Sequence, residues 1–281
     1  MVDINIVTVN YLMKDDILEL LHSIFRDTQD ATCTYKITVV DNSQNKDQIK
    51  EALYKTFPDV NYIDPGQNLG FGKANNLGFK AEDARYYFAI NPDTLIEKNQ
   101  NFIQKLVSFM DANKKIGCIG PKVLHFDETL QYTCYNFDLP SILVKPLRQL
   151  KLDQKITRVK KLVDHLEMKD FDHNSTRAVD WVLGAAMVVR KEVVDQIGLF
   201  DEQFFMYFED SDWCRRMWEA GWPVYYVHDI VIKHKHTRGS SKVPGVFSAL
   251  IKNKLARIHL SSWIKYLWKW RGNNKYYENI S

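Results

Sequence analysis

Short apolar runs alternate with amphipathic stretches through the first 120 residues, and that alternation constrains the fold more than any other feature of the chain. Ile4–Val9 is an apolar run suited to a strand buried on both faces, and residues 15–25 carry Ile17, Leu18, Leu20, Leu21 and Ile24 at helical spacing. The pattern repeats, with strands predicted at 37–40, 60–63, 86–90 and 116–120 and helices at 48–57, 74–82 and 102–110. Units of this length and order predict an α/β fold with a doubly wound, mostly parallel sheet flanked by helices. Such sheets bind ligands beyond the carboxyl ends of their strands. Here those ends read Val9-Asn10-Tyr11, Asp41-Asn42-Ser43, Gly66–Gly72 and Asn91-Pro92-Asp93, all polar residues and turn formers. After Pro121 the pattern breaks. Residues 141–175 form a basic stretch with helical apolar spacing, read as a helical insertion or a mobile helical hairpin. A strand is predicted through 179–190, a helix at 211–220, a strand at 224–227 and a long helix at 246–270.

Charge matters here by its distribution. The chain has 281 residues with 38 Lys+Arg and 35 Asp+Glu, and a net charge of +3 argues against nucleic acid as a partner. Yet eleven Lys/Arg and no acid lie between Ile230 and Tyr277, which leaves −8 on the rest. An acidic body with a basic tail suggests a polyanionic partner. The four cysteines, Cys33, Cys118, Cys134 and Cys214, form no CxxC motif and fit reduced thiols in the cytosol. No signal peptide is expected, and no run reaches the ~18 apolar residues that span a bilayer. The tail could still lie on a membrane. Phe247, Leu250, Ile251, Leu255, Ile258 and Trp263 recur at helical spacing among lysines and arginines, and Trp268 and Trp270 follow. Such a helix suits an anionic lipid surface; the same pattern also suits a helix packed on the body or on a second subunit.

Four segments carry chemistry, each with a plainer reading beside it. In the run Asn68 to Gly78, Gly70 and Gly72 permit close backbone approach, Lys73 can reach a phosphate, and a helix starting at Asn75 and Asn76 would favour an anion. The run is also an ordinary connector; it is neither a P-loop nor a dinucleotide fingerprint. Asn91-Pro92-Asp93-Thr94 ends a strand with a carboxylate that can hold a hard divalent cation, or simply makes an Asx-Pro turn. Glu209-Asp210-Ser211-Asp212 opens a helix with three acids, good helix electrostatics or a general base. His234-Lys235-His236-Thr237-Arg238 offers imidazole to a metal and a guanidinium to phosphate, or is an exposed basic loop.

Together these segments resemble the inverting glycosyltransferases of family 2, which have the GT-A fold, and most of all their bacterial rhamnosyltransferase-like branch. The resemblance rests on Val-Thr-Val-Asn-Tyr at 7–11, Val-Val-Asp-Asn-Ser at 39–43, residues 68–78 and Asn-Pro-Asp-Thr at 91–94. It continues through Trp181–Met187, the run Gly198–Asp212 and the segment His234–Ser241, so it covers roughly residues 3–242. It implies a GT-A domain over 1–242, with the basic insertion inside it, and an amphipathic tail over 243–281. It also implies roles. Thr8, Asn10 and Asp41 would line the nucleoside pocket, with Asp41 accepting from the base, and Asn68, Gly70 and Lys73 would sit by the ribose and diphosphate. Asp93 would be the surviving acid of the family's Asp-x-Asp motif, whose first position here is Asn91. His234, or else His236, would complete a site for Mg²⁺ or Mn²⁺, and Asp210 would be the catalytic base. Trp181, Gly184 and Glu209 would shape the acceptor pocket.

The implied donor is a nucleotide diphosphate sugar, dTDP-L-rhamnose first and a UDP-hexose or UDP-N-acetylhexosamine second. The implied acceptor is a saccharide, free or linked to a polyprenyl diphosphate, for a cell-surface polysaccharide made at the cytoplasmic side of the membrane. A non-catalytic sugar-binding or scaffold protein of the same fold is the rival of a different class. A Rossmann oxidoreductase is excluded, since Val-Asn-Tyr-Leu-Met-Lys stands where the glycine fingerprint belongs.

Overall fold

The computed structural model describes residues 1–136, 154–235 and 253–272. The sheet grows from its most apolar strand. β1 (Val2–Asn10) pairs in parallel with β2 (Tyr35–Asp41) on one side and with β4 (Ala84–Ile90) on the other. β3 (Asn61–Ile63) adds to β2, also in parallel. Alternation along β1 feeds two cores. Ile4 and Ile6 face one layer with α1 (Lys14–Asp27), α2 (Ile49–Thr56) and α4 (Phe102–Ala112), whereas Val7 faces the other with α3 (Phe71–Ala81). Buried Asn5 turns to the α3 side, where its amide donates to the carbonyls of Gly78, Phe79 and Glu82 at 3.1–3.4 Å. The helix lies close enough for this because residue 78 is glycine: a Cβ there would stand 2.4 Å from Val7 Cγ1.

Beyond β4 the sheet departs from simple alternation. The short β5 (Thr94–Leu95) pairs with the last strand, β12 (Val224–His234). β6 (Cys118–Leu124) carries β7 (Leu130–Gln131) on its edge, and β8 (Cys134–Tyr135) pairs with β10 (Trp181–Val182) in a small second sheet. α5 (Thr157–Leu166) and β9 (Arg177–Ala178) lie between β8 and β10 in the chain. β11 (Ala186–Arg190) inserts antiparallel between β4 and β6, and β12 runs parallel to β6. The main path is β3-β2-β1-β4-β11-β6-β12-β5, so the sheet is mixed but mostly parallel. α6 (Lys191–Ile197), α7 (Glu209–Glu219) and α8 (Lys254–Trp270) complete the described elements.

Three expectations from the sequence need correction and a fourth is narrowed. The strand predicted through 179–190 is two strands, broken at Leu183–Ala185, because the Gly184 N–H turns to a side chain instead of a ladder. The alternation does end with β6, but the strand expected at 116–120 runs past Pro121 to Leu124. Pro121 lacks an N–H, and the irregularity this forces falls on β12, whose register shifts between Val227 and Val231. The third helix begins at Phe71, so Asn75 and Asn76 lie inside it, buried. Finally, of the two readings of the basic stretch, the described part fits a helical insertion: it is the helix α5, with Val163 and Leu166 buried, and residues 137–153 lie outside the described residues.

Candidate active site

The carboxyl ends of β1 and β2 meet in one hydrogen-bonded knot. Asn10 donates its amide to Asp41 Oδ1 at 2.9 Å and to both oxygens of Asp47 at 3.1–3.3 Å. Asp41 is fully buried. It also accepts from the Ser43 N–H and hydroxyl, the Asn45 N–H and the Tyr62 hydroxyl, at 2.6–2.9 Å. Burial pushes its carboxyl pKa up, but the bonds from Ser43, Tyr62 and Asn45 outweigh that and hold it below the ordinary value of 3.8. Burial and the Asp41 bond push Tyr62 the other way. A carboxylate offers about four lone-pair sites, so as folded Asp41 builds the pocket wall rather than presenting an idle oxygen. Thr8, two residues back along β1, is buried with an Oγ1 that finds no partner among the described residues.

Asn42 carries this wall to the glycine-rich turn. Its amide donates to the Gly70 carbonyl at 2.9 Å and its Oδ1 accepts from the Leu69 N–H. The Asn68 side chain closes the turn by accepting from the Gly70 N–H at 2.9 Å. Gly70 has φ +80°, and a Cβ there would lie 2.0 Å from the Phe205 carbonyl oxygen, which the Phe71 N–H already binds at 2.8 Å. Only glycine fits that seam. Lys73 points outward to Glu202, 3.5 Å away, with both side chains nearly half exposed.

A second knot lies where β12 ends. His234 Nδ1 is 3.0 Å from Gln131 Oε1, an amide oxygen able to accept a proton carried on Nδ1. Nε2 lies 3.3 Å from the Asn91 amide nitrogen and 3.0 Å from Asp93 Oδ1; it donates to the carboxylate when it carries the proton and offers its lone pair to a cation when Nδ1 does. Both Asp93 and His234 are more than nine-tenths buried. An imidazole lone pair and a carboxylate oxygen at that separation are a donor pair for a cation. An octahedral ion with bonds of about 2.1 Å has neighbouring donors about 3.0 Å apart. Among the described residues no third His, Cys, Asp or Glu joins them. That suits a hard cation that shares its sphere with water and substrate phosphates. His236 and Arg238 lie outside the described residues. Lys233 and Lys235 turn away: Lys233 pairs with Glu97 and Glu128, Lys235 with Asp16 and Glu19.

Asp210 sits in the first turn of α7, largely buried. Its Oδ2 accepts the Gly184 N–H at 3.0 Å and its Oδ1 the Ser211 N–H at 2.7 Å. The turn before it is strained, since Tyr207 and Phe208 have φ of +72° and +69°; each such aromatic residue costs about 1–3 kcal/mol. A Cβ on Gly184 would meet Phe71 at 3.2 Å and the Asp210 Cβ at 3.5 Å, so the start of α3, the break between β10 and β11, and the start of α7 converge. The next residue, Ala185, accepts the Asn91 N–H at 2.8 Å. Two consecutive residues therefore tie Asp210 to the Asn91–Asp93–His234 group. Glu209 is buried against Gly72 of α3. Trp181 is 2% exposed and stacks on Tyr135 with centroids 3.9 Å apart, so its ring backs the site as a wall.

The structure thus joins Asn10 with Asp41, Asn68 with Gly70, Asn91 with Asp93 and His234, and Gly184 with Asp210; it leaves Lys73 at the surface. It adds Asn42, Ser43, Asp47, Tyr62 and Gln131, which the motifs did not single out. Asn42 and Ser43 stand inside the quoted Val-Val-Asp-Asn-Ser run, but nothing in the sequence marks Gln131.

Over 244 residues, 81% of this chain and 73% of the relative, the sequence is 26% identical to an N-acetylglucosaminyl-diphospho-decaprenol L-rhamnosyltransferase of Mycobacterium tuberculosis. It is also 26% identical to the dTDP-rhamnosyl transferase RfbF of Shigella flexneri, over 86% of this chain and 71% of that one. The fold matches the crystal structure of GalNAc-T7 with UDP, GalNAc and Mn²⁺, at a TM-score of 0.65 and 15% identity, over 98% of this chain and 49% of that one. This bears out the GT-A fold expected from the sequence. The family model described as Glycosyltransferase like family 2 matches residues 3–259, and the chain belongs to that family.

Proposed function

We propose that this glycosyltransferase moves L-rhamnose from dTDP-L-rhamnose, with inversion, to a saccharide or polyprenyl-diphosphate-linked saccharide acceptor in cell-surface polysaccharide synthesis. The observation that carries the mechanism is the Gly184-Ala185 link, which sets a buried carboxylate beside the Asp93–His234 pair. The similarity to two rhamnosyltransferases supports the sugar, and RfbF's name supports the dTDP carrier.

Asp210 keeps room on its oxygens for one more donor, the acceptor hydroxyl. It takes that proton as the oxygen attacks the anomeric carbon. The bond to the diphosphate breaks on the opposite face, and configuration inverts. Asp93 and His234 would hold Mg²⁺ or Mn²⁺, which supplies Lewis-acid neutralisation of charge on the leaving diphosphate. Thr8, Asn10 and the wall built on Asp41 receive the nucleoside; Asn68 and Gly70 bring backbone to the ribose and diphosphate. Lys73 exchanges Glu202 for a phosphate at small expense, because an exposed pair of that kind stabilises by under about 1 kcal/mol. Trp181, Gly184 and Glu209 bound the acceptor side.

The transferase unit is assigned to residues 1–242 and the tail to 243–281. No helix among the described residues is long and apolar enough to cross a membrane. The outer face of α8 instead presents Ile264 and Trp268, both more than half exposed, among Lys254, Arg257, Lys265 and Arg271. That stripe suits anionic lipid at the cytoplasmic surface, where a lipid-linked acceptor would be met.

A panel of dTDP-L-rhamnose, UDP-glucose and UDP-N-acetylglucosamine with Mg²⁺ or Mn²⁺ tests the donor through thermal stabilisation and slow donor hydrolysis. Selection of a UDP-sugar replaces rhamnose, and binding without any turnover supports the non-catalytic rival. Full activity in excess EDTA removes the cation. Co-sedimentation with anionic vesicles tests the surface, and equal recovery without vesicles rejects it.

A further inference from the structure

The inner face of α8 lies against the segment that presents Asp210. Ser262 Oγ donates to the Met206 carbonyl at 2.8 Å, Trp270 Nε1 donates to Asp212 Oδ1 at 3.0 Å, and Arg215 donates to the Tyr266 hydroxyl at 3.2 Å. The buried Phe208 ring stands 5.4 Å from the rings of both His259 and Tyr266. These contacts bracket Asp210 on both sides in the chain. The bracketed turn is conformationally strained. Tyr207 and Phe208 are both left-handed, which bulky side chains disfavour, and Phe208 caps α7 without a side-chain hydrogen bond. Such a conformation persists only where its surroundings over-determine it, and here α8 supplies much of those surroundings. The donor wall makes its own bonds: those joining Asn10, Asp41, Asn42, Ser43, Tyr62 and Gly70 are made among themselves, and the helix reaches the wall only through the 203–206 segment that abuts Gly70.

We propose that α8 is a positioning element for the transfer step: Tyr266 packs on Phe208 before Asp210 and Trp270 binds Asp212 after it, and together they aim the Asp210 carboxylate, while donor binding is left to the other half of the site. The proposal rests on the reading of Asp210 as the base. The test is Tyr266→Ala in the full chain, with Tyr266→Phe as the conservative variant. It reads kcat and KM with a soluble acceptor, and donor Kd by calorimetry with dTDP-L-rhamnose or the UDP-sugar that replaces it in the panel. Tyr266→Ala is expected to lower kcat about 10- to 100-fold, the scale of a small misplacement of a reacting group, with donor Kd unchanged. Tyr266→Phe, which keeps the ring, is expected to restore most of the rate. Unchanged kcat, or donor Kd weakening in step with kcat, overturns the proposal. If Tyr266→Ala does not fold, Trp270→Phe, which removes one N–H from Asp212, must show the same split. Asp210→Asn separates the two claims. Full turnover in that variant strikes the base assignment, whereas a dead Asp210→Asn beside a fully active Tyr266→Ala strikes the role of α8 alone.

Discussion

The two halves of the proposed active site are held in different ways. The donor half is built from the adjoining ends of β1, β2 and β3, and its central carboxylate, Asp41, is saturated by hydrogen bonds from Asn10, Ser43, Asn45 and Tyr62. In the catalytic half Asp210 accepts from the Gly184 and Ser211 N–H groups, and the turn before it is packed under a helix some fifty residues downstream. The donor half is thus preorganised by a dense hydrogen-bond network and the catalytic half by fewer bonds and by ring packing. The two meet along the start of α3, where Gly70 and Phe71 touch Phe205 and Gly72 touches Glu209.

Substitutions can break this contrast or sharpen it. Asp210→Asn should cost about 10²–10⁴-fold in turnover with donor affinity intact, measured by steady-state kinetics and calorimetry; parallel loss of donor binding would mean that the halves are not separable. Asp93→Ala should lower turnover about 100-fold, in the range seen when one charge-stabilising group is removed, and abolish thermal stabilisation by Mn²⁺. Gln131→Leu leaves the proposed ligands Asp93 and His234 in place but removes the acceptor beside His234 Nδ1, and should weaken Mn²⁺ binding about 10- to 100-fold, read by titration of a melting curve. The smallest effect is expected at Asp41. Asp41→Asn should cost about 1–2 kcal/mol of stability at pH 7. The sign follows from its lowered pKa: the stabilisation is complete above the unfolded value near 3.8 and fades as pH falls through the lower folded value. Melting curves of parent and variant should therefore stay apart down to the unfolded value near 3.8 and draw together only as pH falls further, through the folded value.

The same contrast explains what could be read from the sequence. β1 to β4 and their helices announced themselves because each buried strand is one apolar run and each ligand-facing end is a polar turn. Strand direction left no such mark: β11 is as apolar as its parallel neighbours, and nothing in Ala-Met-Val-Val-Arg tells which way it runs. The start of α3 was misplaced because the Asn68 turn and Gly70 set it, not the apolar spacing of 74–82. Gln131 was invisible because a lone polar residue in a short edge strand has no pattern. In the tail, spacing identified an amphipathic helix but not what its apolar face meets; Tyr266, among the flanking aromatics, goes inside, while Trp268 stays out. The charge asymmetry was also softened by folding, as Lys233, Lys235 and Lys269 all find carboxylates of the body.

The antiparallel strand β11 has a consequence for how the molecule is made. β4 and β6 follow one another in the chain with only the short β5 and α4 between them, yet they never pair, because the slot between them belongs to residues 186–190. On the ribosome, β4 therefore keeps an open edge while roughly 65 further residues are added after β6, some three to thirteen seconds at about 5–20 residues per second. Through that interval the inner edge of the donor half is a bare row of amides and carbonyls, a template for any passing strand. The arrival of β11 closes it and, with the Gly184-Ala185 turn at its head, delivers the anchor for Asp210 in the same event. Closure of that slot and placement of the Gly184 anchor would then be a single step, ahead of Asp210, β12 and α8, which follow in the chain.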